Sequence, residues 1–366
     1  MKLFLKILFL SVIICALYSM PVMAGNNNID IPDTILHAKR IDEIKFKSHA
    51  FEILGSLYFP LKEKEKHPLV IWVSGSGPSF RKIQSPQTKK LVNCFLDNGF
   101  AYFRIDKPGN GDSKGKLNDD SLFAQLSDII VDAIKKLKQL PEIDEKRIGL
   151  FGSSQAGYIM PLVISKCNDV KFMMGSSCPG ENSINQWNYL IGKQMICEGY
   201  TEKQSNKYVE MFNTLRCTNN KSEFDEAISF FTKNPIKIKS VNYDSSFVDH
   251  AKTWWPRDID EKDVSHFNPI KIIEKLTIPV FMLYGEKDTQ INPVQAIKSY
   301  EAALKKAKNK FYRLKMLKGT DHNMSITTSG CLQEIQERNN SRNYFFNPEY
   351  YAIVKDWIGV ILKMKL

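Results

Sequence analysis

The sequence lacks the patterns that would point to a metal or a nucleotide. Its seven cysteines form no C-x-x-C pair, so the spacing typical of zinc sites is absent. It contains no G-x-G-x-x-G motif, and the glycine-rich segment 109–116 has neither the glycine nor the hydroxyl spacing of a phosphate-binding P-loop. No internal repeat is visible. We therefore expect a protein without a metal or an organic cofactor.

Long apolar runs are also missing, apart from one at the beginning of the chain. Lys2 and Lys6 precede the apolar run 7–17, and small residues at 22 and 24 stand at positions −3 and −1 relative to Gly25. This pattern is typical of a cleaved secretory signal and is too short for a membrane anchor. We predict a signal peptide at 1–24, export to a periplasm or the extracellular space, and no stable membrane anchor after cleavage.

Cysteine is scarce in the remaining chain. An even number of cysteines in an exported protein permits disulfides, although a core of this size does not need them. The expectation is buried thiols, with room for one bridge inside 178–217, and the connectivity stays open. The six cysteines are Cys94, Cys167, Cys178, Cys197, Cys217 and Cys331.

The chain carries a formal net charge of +11, but no concentrated basic element. Its lysines are spread along the sequence with acids between many of them, as in 62–67. Nucleic-acid-binding proteins more often gather basic residues on one element together with stacking aromatics. The charge therefore predicts a solvated lysine-rich surface and no nucleic-acid partner, and it leaves the oligomeric state open.

What is present is an alternation of strands and helices. Residues 44–48 and 51–59 alternate in polarity and predict an antiparallel strand pair. From residue 69 onward, apolar runs are followed by glycine-containing turns and helical patterns. Strands are predicted at 69–74, 101–106, 147–152, 170–177, 278–285 and 311–317, and helices at 87–99, 120–139, 294–307 and 348–364. Such units predict an α/β fold with a mostly parallel twisted sheet and helices on both faces.

The alternation is interrupted once, at 180–270, where amphipathic helical stretches replace the strands. We predict a helical cap insertion there, between core segments at 25–179 and 271–366. Its aromatic side chains are expected to form a pocket roof for an apolar or aromatic group. These aromatics are Trp187, Tyr189, Tyr200, Tyr208, Phe212, Phe230, Phe231, Tyr243, Trp254 and Trp255.

The junction 152–156 is Gly-Ser-Ser-Gln-Ala and stands where a strand becomes a helix. It matches G-x-S-x-A, one residue short of the G-x-S-x-G nucleophile elbow, in which small neighbours allow a strained turn to expose a serine. A glycine-flanked turn without chemistry is the competing interpretation. If the site is catalytic, Ser154 is the nucleophile and Ser153 is the alternative target.

A serine hydroxyl needs a base to become a nucleophile, and the base needs an orienting acid. On an open parallel sheet with an elbow, the chain order is serine, acid, histidine. Asp288 follows the predicted strand 278–285, and His322 is the only histidine after it. We predict His322 as base and Asp288 as its acid, with Asp321 and Glu286 as weaker candidates for the acid.

Stabilisation of the oxyanion requires two hydrogen-bond donors. The backbone N–H of Gln155, directly after the serine, is predicted to be one. The turn 73–81 after the first parallel strand contains glycines that allow amides to face a ligand, and Ser76 is predicted to supply the second.

Taken together, these residues resemble the α/β-hydrolase family, and within it bacterial exported esterases and serine-aminopeptidase-like hydrolases. Segment 74–81 (SGSGPSFR) is similar to the family's oxyanion turn, segment 104–115 to a structural D-x-x-G-x-G-x-S-x-G loop, and segment 278–293 to the acid-bearing strand and turn. The resemblance covers roughly 50–180 and 270–366.

The resemblance implies a serine hydrolase without a cofactor, acting on a small-molecule carboxylic ester through Ser154, His322 and Asp288. Three alternatives stay open. An aminopeptidase or acyl-peptide hydrolase, or a thioesterase, would use the same triad, and a non-catalytic binding protein could have kept the fold. A peptidase would need an acidic residue for a free amine, and the candidates in the cap are Glu181, Glu198 and Asp249.

Overall fold

A computed structural model of the protein describes residues 35–244, 246–255, 266–341 and 346–365. The predicted signal peptide at 1–24 lies outside the described residues. Among the helices that are described, none is both long and apolar enough to cross a bilayer.

The strands, in chain order, form one large sheet and one two-stranded ribbon. The strands are β1 (Ala38–Ser48), β2 (Phe51–Pro60), β3 (His67–Val73), β4 (Ala101–Ile105), β5 (Ile143–Ser153), β6 (Val170–Ser176), β7 (Lys237–Ile238), β8 (Tyr243–Asp244), β9 (Val280–Gly285) and β10 (Tyr312–Leu317). The ribbon pairs β7 with β8, and all the other strands belong to the large sheet.

The helices fill the connections between the strands. The helices are α1 (Pro86–Leu96), α2 (Leu122–Leu137), α3 (Ala156–Lys166), α4 (Ser183–Cys197), α5 (Glu202–Cys217), α6 (Lys221–Lys233), α7 (Phe247–Ala251), α8 (Ile270–Ile273), α9 (Pro293–Lys306), α10 (Leu332–Ser341) and α11 (Pro348–Lys363).

The large sheet has the strand order β1-β2-β4-β3-β5-β6-β9-β10. The β1–β2 and β2–β4 pairs are antiparallel, and every pair from β4 to β10 is parallel. This mostly parallel sheet, with helices on both faces, confirms the predicted fold class, the α/β-hydrolase fold. Because the parallel strands all run in one direction, the residues that follow them meet at one edge of the sheet.

Both faces of the sheet are covered by helices, so its central strands contain continuous apolar runs. In β3, Leu69 and Ile71 belong to a core cluster that includes α2, α3 and α9, whereas Val70 belongs to a second cluster with α1 and α11. Successive strand side chains point to opposite faces, which is why one strand supplies both cores. The continuous apolar runs read from the sequence have this origin.

The helices α4–α7 form an apolar cluster of their own. Phe212, Phe231, Tyr243 and Phe247 pack against one another with ring centroids 4.5–5.4 Å apart, and Trp187 joins them. The expectation that the cap aromatics form a pocket roof is therefore wrong for these side chains. Helices that pack mainly on one another need a core of their own, and the aromatics supply it.

A disulfide joins Cys197, at the end of α4, to Cys331, just before α10. The predicted placement of a bridge inside 178–217 is wrong. Cys178 is a buried thiol, and Cys217 is likewise a thiol outside any disulfide. Sequence spacing could not reveal this pair, because its two cysteines stand 134 positions apart and are brought together only by the packing of α4 against the loops after β9 and β10.

Removing the bridge with Cys197→Ala and Cys331→Ala should lower the free energy of unfolding by about 2–4 kcal/mol, because a long loop in the unfolded chain is no longer closed. Urea unfolding of the two proteins measures the change. Cys217→Ala is the matched control and should change the free energy of unfolding by less than about 1 kcal/mol. An unchanged midpoint in the double variant would contradict the assigned pair.

Candidate active site

The strand β5 ends at a tight turn that carries Ser154. This residue has a φ of +54°, a left-handed conformation that is strained for a side chain other than glycine. A Cβ added at Gly152 would lie 2.5 Å from both the carbonyl oxygen of Val73 and the Cβ of Ala156. The turn therefore requires glycine at 152, while the small Ala156 side chain fits at the start of α3. These are the steric features of a nucleophile elbow.

The pair His322 and Asp288 lies at the same edge of the sheet. The imidazole Nδ1 and the carboxylate Oδ2 are 2.9 Å apart, and both side chains are buried, at 8% and 0% exposure. The other carboxylate oxygen accepts hydrogen bonds from the amides of Gln290 and Ile291 at 2.8 and 2.9 Å. The carboxylate is held on both oxygens, so it fixes the tautomer with the proton on Nδ1 and leaves Nε2 as the acceptor.

The pKa of His322 results from opposing effects. Burial lowers the pKa of His322, but the charge of Asp288 and its hydrogen bond, with a smaller contribution from Asp321, raise it, and the net change is upward. The imidazolium is therefore better stabilised here than in water. A base whose charged form is stabilised in this way can take a proton from a neighbouring hydroxyl.

The other two acids proposed for this role are engaged elsewhere. Asp321 is buried, accepts hydrogen bonds from the amides of Asn323 and Ser325, and pairs with Arg338. Glu286 accepts the amide of Gly319 at 3.0 Å. Neither makes a hydrogen bond to the imidazole among the described residues, so the structure pairs His322 with Asp288.

Ser154 and His322 are tied to two consecutive residues at the end of β6. The amide of Ser154 donates to the carbonyl oxygen of Ser176 at 3.0 Å, and the hydroxyl of Ser177 donates to the carbonyl oxygen of His322 at 3.0 Å. Ser177 itself is fully buried and has a φ of +49°. Sequence analysis missed this residue, because nothing in a serine pair after a strand distinguishes it from an ordinary turn.

The predicted oxyanion donors flank the serine. Gln155 precedes α3, and Ser76 lies in the loop after β3. A Cβ at Gly75 would lie 3.3 Å from the Cβ of Ser154, so this loop packs directly against the elbow. Within the described part of the chain, neither the Ser76 nor the Gln155 amide donates to a protein acceptor. Both amides remain available for a ligand.

The loop that carries Ser76 is held by buried charged groups that the sequence did not reveal. The backbone amide of Arg81 donates to Asp106 at 2.6 Å, and its guanidinium reaches the same carboxylate at 3.2 Å. The amide of Asp112 also donates to Asp106, at 3.0 Å. Lys107 lies beneath the loop and is 5% exposed. The segment predicted to be a structural loop thus supports the turn that carries Ser76.

Helix α4, in the segment predicted to be a cap, contacts the segment that carries Asp288. The hydroxyl of Tyr189 donates to the carbonyl oxygen of Asp288 at 2.9 Å. The fully buried Gln194 donates to the Thr289 hydroxyl at 2.9 Å and accepts the amide of Leu332 at 3.1 Å. The position of Asp288 therefore depends on α4 as well as on β9.

Of the three acids considered for binding an amine, Glu198 accepts the amides of Lys239 and Ser240, and Asp249 pairs with Lys252 at the surface. Glu181 is half-buried, and burial raises the pKa of its carboxyl to about 7. Among the described residues, no group of three or more His, Cys, Asp or Glu side chains is arranged to hold a metal ion.

A protein-family model named BD-FAE matches residues 56–303, which is more than half of the chain. The chain belongs to the BD-FAE family. This family is an esterase family of the α/β-hydrolase type, so the chain is a hydrolase with that fold. No curated protein matches the chain.

Several solved structures are similar to this BD-FAE family member. Est1E from Butyrivibrio proteoclasticus is 16% identical, with a TM-score of 0.48, and the match covers 88% of this chain and 99% of that one. An acylaminoacyl peptidase from Pyrococcus horikoshii is 14% identical, with a TM-score of 0.49 and coverage of 83% and 40%. A putative dipeptidyl aminopeptidase IV from Bacteroides ovatus is 14% identical, with a TM-score of 0.48 and coverage of 84% and 36%.

Asp288→Asn should lower the pKa of His322. The variant removes the charge that raises this pKa but leaves the burial that lowers it. Histidine C–H resonances followed by NMR against pH measure the change. The resonances of His67, whose ring contacts the carbonyl oxygen of Gly99, serve as the control for the fold and should keep their wild-type chemical shifts at a fixed pH. A His322 pKa that stays the same or rises in Asp288→Asn would contradict the assigned pair.

Proposed function

We propose that this protein is a serine hydrolase that cleaves carboxylic esters of modest size through an acyl-enzyme intermediate. The observation that carries the proposal is the buried His322–Asp288 pair at the sheet edge where Ser154 adopts its left-handed conformation. A buried carboxylate costs stability, and a strained serine backbone costs stability as well, so both features at one edge of the sheet point to a functional site. Membership of an esterase family supports the choice of an ester.

The proposed reaction has two halves. In the first, the Ser154 hydroxyl attacks the acyl carbonyl while Nε2 of His322 takes its proton, and Asp288 stabilises the imidazolium. The amides of Ser76 and Gln155 hydrogen-bond to the negative oxygen of the tetrahedral intermediate. The imidazolium then protonates the leaving alcohol. In the second half, water attacks the acyl-enzyme with the same histidine as base, and the acid leaves.

The proposed location is outside the cytoplasm, in a periplasm or the extracellular medium. Its support is the secretory pattern at 1–24 together with the Cys197–Cys331 disulfide, since such bonds persist in oxidising compartments. The proposed partner is a small-molecule ester, without nucleic acid or a stable membrane anchor.

Ser154→Ala should abolish labelling by a fluorophosphonate probe and lower kcat for a short acyl aryl ester by about 10⁴-fold or more, because the nucleophile is gone. In-gel fluorescence and release of the aryl alcohol are the two measurements. A purified wild type that leaves such esters intact while it cleaves peptide arylamides would contradict the esterase assignment.

Ser153→Ala is the matched control for this experiment. Ser153 ends β5, opposite Ser176 in the sheet, and stands one residue before the elbow. The variant makes the same chemical change one position away, so it should keep both labelling and turnover. Labelling that survives in Ser154→Ala and disappears in Ser153→Ala would move the nucleophile to Ser153.

A second candidate function, an aminopeptidase, is favoured by one observation. Glu181 is half-buried and follows β6 at the edge that carries the site, and burial alone raises the pKa of its carboxyl to about 7. A substrate ammonium would restore the charged form by pairing with it. Under this alternative the wild type prefers aminoacyl arylamides to neutral esters.

Glu181→Gln separates the two functions. For an esterase, kcat/KM with a neutral aryl ester should stay within about threefold, because no charge on the substrate needs a partner. For an aminopeptidase, kcat/KM with an aminoacyl arylamide should fall about 30-fold or more, because a buried ion pair is lost. We expect the nearly unchanged kcat/KM with the ester. The large fall in kcat/KM with the arylamide would instead favour the aminopeptidase and replace the esterase proposal.

A further inference from the structure

A buried lysine lies directly beneath the loop of Ser76. Lys107, just after β4, donates hydrogen bonds from its ammonium to the carbonyl oxygens of Gly75 and Gly77, the second at 3.1 Å. Within the part of the chain that the structure describes, no carboxylate pairs with this ammonium. Burial lowers the pKa of Lys107 to about 8, which still leaves most of it charged at neutral pH. An unpaired buried cation is unfavourable for stability, so its presence here needs another explanation.

The geometry of the peptide unit between Gly75 and Ser76 explains why a buried lysine is present here. The carbonyl of Gly75 and the N–H of Ser76 belong to the same peptide unit, which is planar, and in the trans form they point in opposite directions. Lys107 binds the carbonyl end, so it fixes the plane and turns the Ser76 N–H away from itself. Gly75 packs against the elbow, where its Cβ would lie 3.3 Å from the Ser154 Cβ.

The same ammonium also holds the next turn of the loop. Gly77 has a φ of +79°, and a Cβ there would meet nothing within 4 Å, so the glycine is needed for its backbone conformation alone. The peptide unit after Gly77 leads to Pro78 and has no N–H to offer a ligand. The bond from Lys107 to the Gly77 carbonyl therefore holds the shape of the loop, whereas the bond to Gly75 orients a donor.

We propose that Lys107 is a positioning residue that orients the Ser76 amide for the oxyanion and strengthens it as a donor. A cation bound to the carbonyl polarises the peptide unit and makes its N–H a better donor. The oxyanion forms only after attack by Ser154, so the effect is expected in kcat rather than in substrate binding. This inference rests on the proposed function, in which Ser76 supplies one of two donors.

The test is Lys107→Met, a neutral side chain of similar length that cannot donate a hydrogen bond. The expected result is a kcat for an aryl ester that is about 10- to 100-fold lower, with a KM within about twofold of the wild type. The concentration of active sites is measured by complete titration with a fluorophosphonate, and kcat is expressed per titrated site. A loss of folded enzyme therefore does not lower the reported kcat.

Lys166→Met is the matched control, since it makes the same change in side chain and charge. In the wild type, the Lys166 ammonium donates to the hydroxyl of Ser127 and to Asp128 on α2, and it makes no contact with the loop of Ser76. Its kcat per titrated site should stay within about twofold of the wild type.

Binding of an aryl boronic acid, which forms a tetrahedral adduct with the serine, gives a readout that a structural role would not move. In Lys107→Met the Kd of the boronic acid should rise about 10- to 100-fold, while the inhibition constant of the carboxylic acid product changes less than about twofold. Equal weakening of both ligands, or a wild-type kcat per titrated site, would overturn the proposal.

If Lys107→Met does not fold, Lys107→Arg and Lys107→Gln are compared, because the first keeps the charge and the second is a neutral donor. The proposal predicts that kcat per titrated site is at least about tenfold higher for Lys107→Arg than for Lys107→Gln, and equal values for the two variants overturn it. Failure of the Lys107 proposal is distinguishable from failure of the proposed function. If the fluorophosphonate does not label the wild type, the serine-hydrolase assignment itself is contradicted, whereas the Lys107 proposal can fail in an enzyme that is labelled normally.

Discussion

The site depends on the parallel register of β5, β6 and β9. Ser153 lies opposite Ser176, and Ser176 lies opposite Leu283, so β5 and β6 end at one level and β9 ends two residues further on, at Gly285. The residues that continue from these ends are Ser154, Ser177 and the loop of Asp288. The backbone hydrogen bonds of the sheet therefore determine most of the relative placement of these residues. The side-chain contacts between His322 and Asp288 only complete an arrangement that the strands have already made.

Two sets of contacts hold the parts of the candidate site. In the first set, α4 reaches the acid through Tyr189 and Gln194, and the Cys197–Cys331 bond ties the same helix to the segment after His322. In the second set, Asp106 and Lys107 hold the loop of Ser76. Gln194, Asp106 and Lys107 are buried and polar. Such groups are costly unless their hydrogen bonds are satisfied, and here they define the positions of Asp288 and of the loop that carries Ser76.

The sequence was most informative where local patterns decide the structure. The continuous apolar runs correctly predicted the parallel strands, and the helix expected at 120–139 is α2, Leu122–Leu137. The position just after a predicted strand selected Asp288 over Asp321, and the imidazole of His322 lies 2.9 Å from the Asp288 carboxylate. The strand and helix predictions succeeded because a strand, a turn and the residue after it are neighbours in the chain.

Long-range pairs were not predictable in this way. Cys197 meets Cys331 only after the cap has packed, and Lys107 becomes a buried ligand of carbonyl groups only because β4 lies beside β3. The aromatics of the cap were also misread, since helical spacing cannot tell a side chain that faces its own core from one that faces a pocket. Phe212 and Phe231 face the core.

The most direct test of the account is a crystal structure of the protein after reaction with a fluorophosphonate. The account predicts phosphorus bonded to the Oγ of Ser154, the phosphoryl oxygen about 2.7–3.1 Å from the amides of Ser76 and Gln155, and Nε2 of His322 beside the adduct. An adduct on another residue, or a phosphoryl oxygen that points away from both amides, would contradict it.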